Sequence, residues 1–313
     1  MVYRWGTKDW CESQFDSLEL DTLGNKWGHR WRGSQKFRHR LSLRLIKRIV
    51  EKGKNLAILD IGCALGDFTA KVYQLNPRNR VYGVDISQRA VDYVSKKYRW
   101  LQAKVGALPN IPFPNDSFDL VIALEVLYYL NNEDREKAVK DIKRVLRNGG
   151  YLLLSGVLDD GKRYFSEKEI IQLLSKYLSL EAIQFNYAKP YTCIERRLLN
   201  LYSKLVDVRE IVALSDEEFQ NFLNERSLTK VQAYILRKMR KILGIPLLGS
   251  VLRIFFHSSS WLLRVILSLE GIPALFFVFS KLLLGETAKS QIMILAQKKV
   301  KRGGDLYDKK NLS

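Results

Sequence analysis

Asp60, Gly62, Gly66 and Asp85 are residues whose types and spacing suit chemistry. They lie in LAILDIGCALGDFT (56–69) and RVYGVDIS (80–87). An apolar run ending in an acid and a glycine reads as a buried strand leaving the core through a tight turn. Gly62 lets the backbone approach a ligand closely, and Gly66 opens a helix-like stretch. A carboxylate at the end of the next strand, Asp85, can accept hydrogen bonds from two neighbouring hydroxyls. Further along, ALEVLYYL (123–130) offers Glu125 as a proton acceptor and Tyr128 and Tyr129 as aromatic faces for a cation. Upstream, NKWGHRWRGSQKFRHRL (25–41) is rich in arginine and aromatic residues. Arg38 or Arg40 suits a carboxylate, which a forked guanidinium grips well. His29 and His39 are candidate bases, with a plain packing or surface role as the alternative.

The glycine spacing excludes two common ligands. A dinucleotide turn needs G-x-G-x-x-G, and the matching positions here are Gly62, Ala64 and Asp67. A phosphate-cradling loop needs a Lys-Ser or Lys-Thr pair after its glycines, and no such pair is present. The three cysteines, Cys11, Cys63 and Cys193, stand far apart and match no metal spacing, so no metal is expected. They read as small thiols in a reducing compartment. The first twenty residues show no apolar signal core, which leads to an expected cytoplasmic location.

The elements around these residues alternate strand and helix. Strands are expected at 56–61, 80–87, 118–124, 151–158, 180–187 and 290–299. Helices are expected at 67–75, at 87–98 with Ser87 as N-cap, at 132–150 ending on Gly149-Gly150, and at 166–178 from a Ser166–Glu169 capping box. Alternation of this kind makes an α/β fold, a doubly wound and mostly parallel sheet. Before the last strand the pattern breaks into a stretch of about a hundred residues, which should be helical rather than structureless.

Asp60-Ile-Gly62-Cys63-Ala64-Leu65-Gly66, with Asp85 after it, resembles the first motifs of class I S-adenosylmethionine-dependent methyltransferases. IPFPNDSFDLVIALEVLYYL (111–130) and RVLRNGGYLLLSG (144–156) resemble that family's later strands. The resemblance implies a seven-stranded Rossmann-like sheet and S-adenosyl-L-methionine as cofactor. It implies cofactor contacts from Asp60, Gly62, Cys63, Ala64, Gly66, Phe68, Asp85, Ile86, Glu125 and Arg40. Asp85 would hold the ribose. The acid that often bonds the adenine amine is Ala107 here, so backbone at Gly106, Ala107 and Leu108, or Asn110, would hold the base. Ala64 replaces a glycine, which requires its φ to stay negative. GCALGDFT and EVLYYL are also similar to nodulation-type N-methyltransferases of chitooligosaccharides, over the cofactor half only. The sulfonium of such a cofactor is already activated, so positioning should dominate. Glu125 and Tyr128 are the catalytic candidates.

The expected organisation is an N-terminal helical cap at 1–55 and a cofactor core at 56–189. A helical apolar insertion at 190–289, the last strand at 290–300 and a basic tail at 301–313 complete it. The net charge of +19 points to nucleic acid, an anionic membrane surface or acidic substrates. RKMRK (237–241) directly precedes an apolar stretch, 243–284. Arg253, His257, Arg264, Glu270 and Lys281 interrupt that stretch, which argues against a spanning helix. An interfacial element and a lid packed on the domain both remain open. The leading expectation is methyl transfer to a small, lipidic or lipid-linked glycan acceptor at a membrane surface. The alternative is RNA or another nucleic acid, although no base-methyltransferase signature such as N-P-P-Y is present.

Overall fold

A computed structural model describes residues 31–53, 55–159, 164–211, 214–225 and 230–299. His29, Cys11, most of the expected cap and the basic tail lie outside the described residues. The chain forms two compact units. One comprises residues 1–31, 35–188 and 277–313, and the other residues 32–34 and 189–276.

The first unit is built on seven strands: β1 (Ala57–Ile61), β2 (Arg80–Asp85), β3 (Leu101–Val105), β4 (Phe118–Leu124), β5 (Leu146–Val157), β6 (Ser179–Asn186) and β7 (Gln291–Gln297). Their order is β3-β2-β1-β4-β5-β7-β6. β1 to β5 run parallel, and β7 pairs antiparallel with both β5 and β6. Strand order reverses at β1, between β2 and β4. Ligands of open α/β sheets bind at such a reversal, beyond the carboxyl ends of the strands.

Alternation explains why the central strands are apolar throughout. Leu59, Ile61, Val121 and Ala123 join the core on one face of the sheet. Ile58, Leu120, Ile122 and Leu153 join the core on the other. A sheet covered on both faces needs apolar residues at every position.

The helices of this unit are α1 (Gly33–Lys52), α2 (Asp67–Leu75), α3 (Gln88–Lys97), α4 (Asn132–Val145) and α5 (Glu167–Ser175). Local chemistry sets their starts. Ser87 accepts from the Ala90 N–H at the start of α3, and Asn131 accepts from the Asp134 N–H at the start of α4. Ser166 and Glu169 complete a capping box on α5.

Two sequence expectations change. β3 occupies 101–105, which carried no strand assignment. It is a short edge strand with Gln102, Lys104 and Val105 exposed, so its apolar signal is weak. The helix expected at 132–150 stops at Val145, and Leu146 is already extended. Gly149 and Gly150 lie inside β5. A Cβ on Gly150 would approach Phe118 O to 3.0 Å, so the glycine lets β5 close on β4.

Between β6 and β7 run α6 (Lys189–Glu210), α7 (Asp216–Glu225), α8 (Lys230–Leu243), α9 (Pro246–Ser268) and α10 (Gly271–Leu284). Within the second unit α9 packs on α6 and α8. Glu195 of α6 is buried and bonded by Arg32 (2.5 Å) and Ser34 (2.6 Å) at the start of α1. Two helical stretches, Gly249–Ser268 and Gly271–Ala288, are long and apolar enough to cross a membrane by length and composition. The interrupting charges noted in the sequence do not break α9, because a helix can turn them all to one side.

Candidate active site

The turn after β1 is held by the neighbouring strand. The N–H groups of Gly62 and Cys63 both donate to Val84 O, at 2.7 and 3.1 Å, and Gly66 N–H donates to Cys63 O at 2.8 Å. Gly62 and Gly66 have φ of 73° and 74°. A Cβ on Gly62 would stand 2.3 Å from Val126 Cγ1, and one on Gly66 would stand 2.7 Å from the Tyr98 ring. Both positions therefore need glycine for conformation and for space.

Ala64 departs from expectation, with φ of 45° instead of a negative value. Its N–H must face inward to donate to Asp85 Oδ2 at 2.8 Å, and that geometry requires the left-handed region. The alanine pays a steric cost of about 1 kcal/mol there. Ala64→Gly should therefore stabilise the fold by up to about 1 kcal/mol, seen as a Tm rise of about 2–4 °C. An unchanged or lower Tm would mean that the turn relaxes to fit alanine.

Asp85 is buried at the end of β2. Its Oδ1 accepts from Ser87 N–H at 3.0 Å and its Oδ2 from Ala64 N–H. A carboxylate offers about four acceptor sites, the number a ribose-binding acid draws on. Gly106 N–H donates to Asp85 O at 2.9 Å, which brings the loop after β3 to the same edge. Ala107 and Asn110 bridge across the cis Leu108–Pro109 bond, and Asn110 is exposed. Ile86 is half-buried next to Asp85.

Asp60 lies beneath the turn. It accepts from the Thr69 hydroxyl at 2.5 Å. Burial pushes its carboxyl up to about 7 against the Thr69 bond, and the Asp85 charge pushes the same way. The ordinary carboxyl value of the unfolded chain is lower, so the folded state holds an extra proton between about pH 4 and 7. Stability should fall as pH rises through that window and level off above it, by about 4 kcal/mol in all. Asp60→Asn, which keeps an acceptor for Thr69, should flatten that slope in urea titrations. Equal slopes in both proteins would refute this assignment. Burial also raises the Cys63 thiol, helped by Asp85 and Asp60, so it stays protonated and packs as a small apolar group.

At the end of β4, Glu125 is buried and has φ of 60°. Its N–H donates to Ser155 O at 3.0 Å, and its Oε1 accepts from Ser155 Oγ at 2.8 Å. Its Oε2 lies 3.3 Å from Arg38 Nη1. A left-handed glutamate held from three sides is strain retained by its surroundings, a common mark of functional positions. Arg38 is buried on α1, and its Nε has no hydrogen-bond partner among the described residues. Gln35 Oε1 and Ser42 Oγ, on the same helix face, are likewise enclosed without partners. Buried polar atoms without partners fit a polar ligand that supplies them.

Arg40, named from the sequence, is exposed. It lies two residues from Arg38, about 200° around the helix, so only Arg38 meets Glu125. Phe68 packs edge-on against His39 at 5.0 Å, and His39 Nδ1 lies 3.3 Å from Lys71 Nζ. These contacts place Phe68 and His39 in packing around α2.

Tyr128 is buried in an aromatic group, 4.6 Å from Tyr129 and 5.1 Å from Tyr164, ring centre to ring centre. Burial, reinforced by the Glu125 charge, keeps its hydroxyl protonated well beyond the ordinary range. It can donate a hydrogen bond but is not a base. Ser155 was missed by sequence reading; its only signal is a serine closing the apolar run YLLLS. No group of three His, Cys, Asp or Glu side chains that could hold a metal occurs among the described residues.

The reversed strand order, the glycine turn and Asp85 at its rim are the features expected of a class I S-adenosylmethionine-dependent methyltransferase domain. The family described as "Methyltransferase domain" matches residues 59–154. The chain is 31% identical over 126 residues to a tRNA (carboxymethyluridine(34)-5-O)-methyltransferase of Arabidopsis thaliana, covering 40% of this chain and 28% of that one. It spans about half or less of the length of the first curated relatives it matches. Among solved structures, a putative sarcosine dimethylglycine methyltransferase from Galdieria sulphuraria superposes with a TM-score of 0.50 at 14% identity, over 86% of each chain. The N-methyltransferase NodS from Bradyrhizobium japonicum is similar at 25% identity and a TM-score of 0.46, over 56% of this chain and 89% of that one. S-adenosylmethionine is the methyl donor of this domain. The Asp85 carboxylate at the rim and the buried Arg38 guanidinium suit its ribose and its methionine carboxylate.

Proposed function

We propose that this protein transfers a methyl group from S-adenosylmethionine to a small lipidic or lipid-linked glycan acceptor, met from the cytoplasm at a membrane surface. The observation that carries the acceptor class is the apolar stripe that α9 turns to solvent, where Val251, Ile254, Phe255, Trp261 and Leu262 are each more than half exposed. A protein seated on lipid meets acceptors dissolved there.

The cofactor supplies an already activated methyl group on a sulfonium. The chain's own residues then do positioning. Asp85 and the Gly62–Gly66 turn orient the nucleoside end, with the backbone of Gly106, Ala107 and Leu108 beside them. Arg38 takes the carboxylate end. Glu125, fixed by Ser155 and Arg38, holds a negative charge at the end of β4 and can accept a proton from an acceptor hydroxyl or ammonium. Tyr128 donates a hydrogen bond or closes the aromatic wall.

A second reading, methylation of RNA, is favoured by the net charge of +19 and by the tRNA-modifying Arabidopsis relative. That similarity is confined to 40% of the chain. Labelled methyl transfer into fractionated extract separates the two. Label in the lipid fraction supports the first reading. Label in RNA, with lipid unlabelled, overturns it in favour of the second.

A further inference from the structure

We propose that α8 and α9 form a docking surface for an anionic lipid bilayer, with α9 lying in the membrane plane. The proposal rests on the functional reading above only in placing the acceptor at a membrane.

α9 is apolar on its exposed side as well as on its packed one. At about 100° per residue, Val251, Ile254, Phe255, Ser258, Trp261 and Leu262 fall on one continuous face. Every one of them is exposed, and all but Ser258 are apolar. The opposite side packs Leu267, with Leu252, Phe256 and Leu263 half-buried, alongside polar groups. Arg253 donates to Leu243 O and Ser250 Oγ, both at 3.0 Å, and Ser260 is buried with its hydroxyl on His257 O. A soluble helix buries its apolar stripe. Here a second apolar stripe faces out beyond the one that packs into the unit, which suits a helix whose outer medium is apolar.

The neighbouring helix supplies the charge. On α8, Val231, Tyr234, Ile235 and Ile242 share an exposed face with Lys238, flanked by Arg237 and Lys241. Among the described residues no carboxylate pairs with these three cations, whereas Arg240 on the inner side pairs with Asp216 at 2.7 Å. Apolar residues bordered by lysine and arginine suit the boundary between acyl chains and phosphate headgroups.

Two alternatives fit less well. A spanning helix is surrounded by lipid, but α9 packs on α6, whose Arg196, Arg197 and Lys204 are exposed to water. That arrangement leaves α9 half immersed rather than crossing. A second copy of the chain would bring the same cations of a strongly basic protein together, which is repulsive.

The test uses the full chain in flotation assays. Vesicles of phosphatidylcholine mixed with phosphatidylglycerol are compared with pure phosphatidylcholine, at low and high salt. The protein should float with the anionic vesicles, and binding should weaken with salt. Phe255→Gln with Leu262→Gln should weaken binding at least ~10-fold, as removal of two inserted apolar side chains implies. Arg237→Glu with Lys241→Glu should remove the salt-sensitive part. All four residues are exposed, so Tm should be unchanged. Trp261→Phe should remove a blue-shifted fluorescence component that vesicles induce.

Failure to float, or floating that the apolar variant leaves intact, would overturn the proposal. So would a dimer in light scattering that Phe255→Gln dissociates. Flotation needs neither cofactor nor acceptor. Binding to vesicles with label entering only RNA would leave the docking surface standing and remove the lipid acceptor. Label in detergent-dispersed lipid without flotation would do the reverse.

Discussion

Arg38→Ala should cost about 3–5 kcal/mol of folding stability and abolish S-adenosylmethionine binding in calorimetry. The cause is the company Arg38 keeps. Its Nη1 lies 3.3 Å from Glu125 Oε2, and both side chains are less than one-tenth exposed. Removing the guanidinium leaves a carboxylate enclosed, and one oxygen of that carboxylate has only Ser155 for compensation. An isolated buried charge is among the costliest defects a single substitution can make. The same change removes the Nε group that has no hydrogen-bond partner among the described residues.

Controls separate stability from binding. Arg38→Lys keeps the charge but not the fork, so it should recover much of the stability and little of the affinity. Arg38→Met with Glu125→Gln removes both charges. It should be at least about 2 kcal/mol more stable than Arg38→Ala, yet still fail to bind. A loss below about 1 kcal/mol for Arg38→Ala would show that the pair is solvated in solution. Full affinity in Arg38→Lys would show that Arg38 is structural only.

Asp85→Asn should weaken S-adenosylmethionine at least ~100-fold and lower stability by about 1–3 kcal/mol. The carboxylate is an acceptor on both oxygens, and each takes a backbone N–H, from Ala64 and from Ser87. An amide must turn its NH2 toward one of these donors, leaving two hydrogens facing each other. The turn after β1 then loses one tether, and the ribose loses an acceptor. Binding loss without stability loss would confine Asp85 to ligand contact. Stability loss with normal affinity would make it a purely structural staple.

Much of this site is legible before any coordinates. The runs AILDI and FDLVIAL are apolar apart from Asp60 near the carboxyl end of the first and Asp119 near the amino end of the second, so they read as strands covered on both faces. Asp85 follows from the same logic. The edge strand β3 escaped although LQAKV alternates apolar and polar residues as a half-buried strand should, because the run is only five residues long. Gly149-Gly150 was misread as a helix stop because glycine signals a stop and a close strand approach equally well. The choice between Arg38 and Arg40 also escaped, since both lie on a helix whose inner face is set by what packs on it.

Sequence by itself determined the cofactor and the sheet that presents it. Those depend on local rules: strand periodicity, turn glycines and the reach of a carboxylate over a short span. Tertiary structure decided the rest. It placed Ala64 in a left-handed turn, because the acceptor for its N–H belongs to another strand. It joined Arg38, Glu125 and Ser155, which come from α1, β4 and β5. It also turned the apolar face of α9 outward. Helical spacing puts those residues on one face, but only packing against α6 and α8 decides which side of that helix meets the solvent.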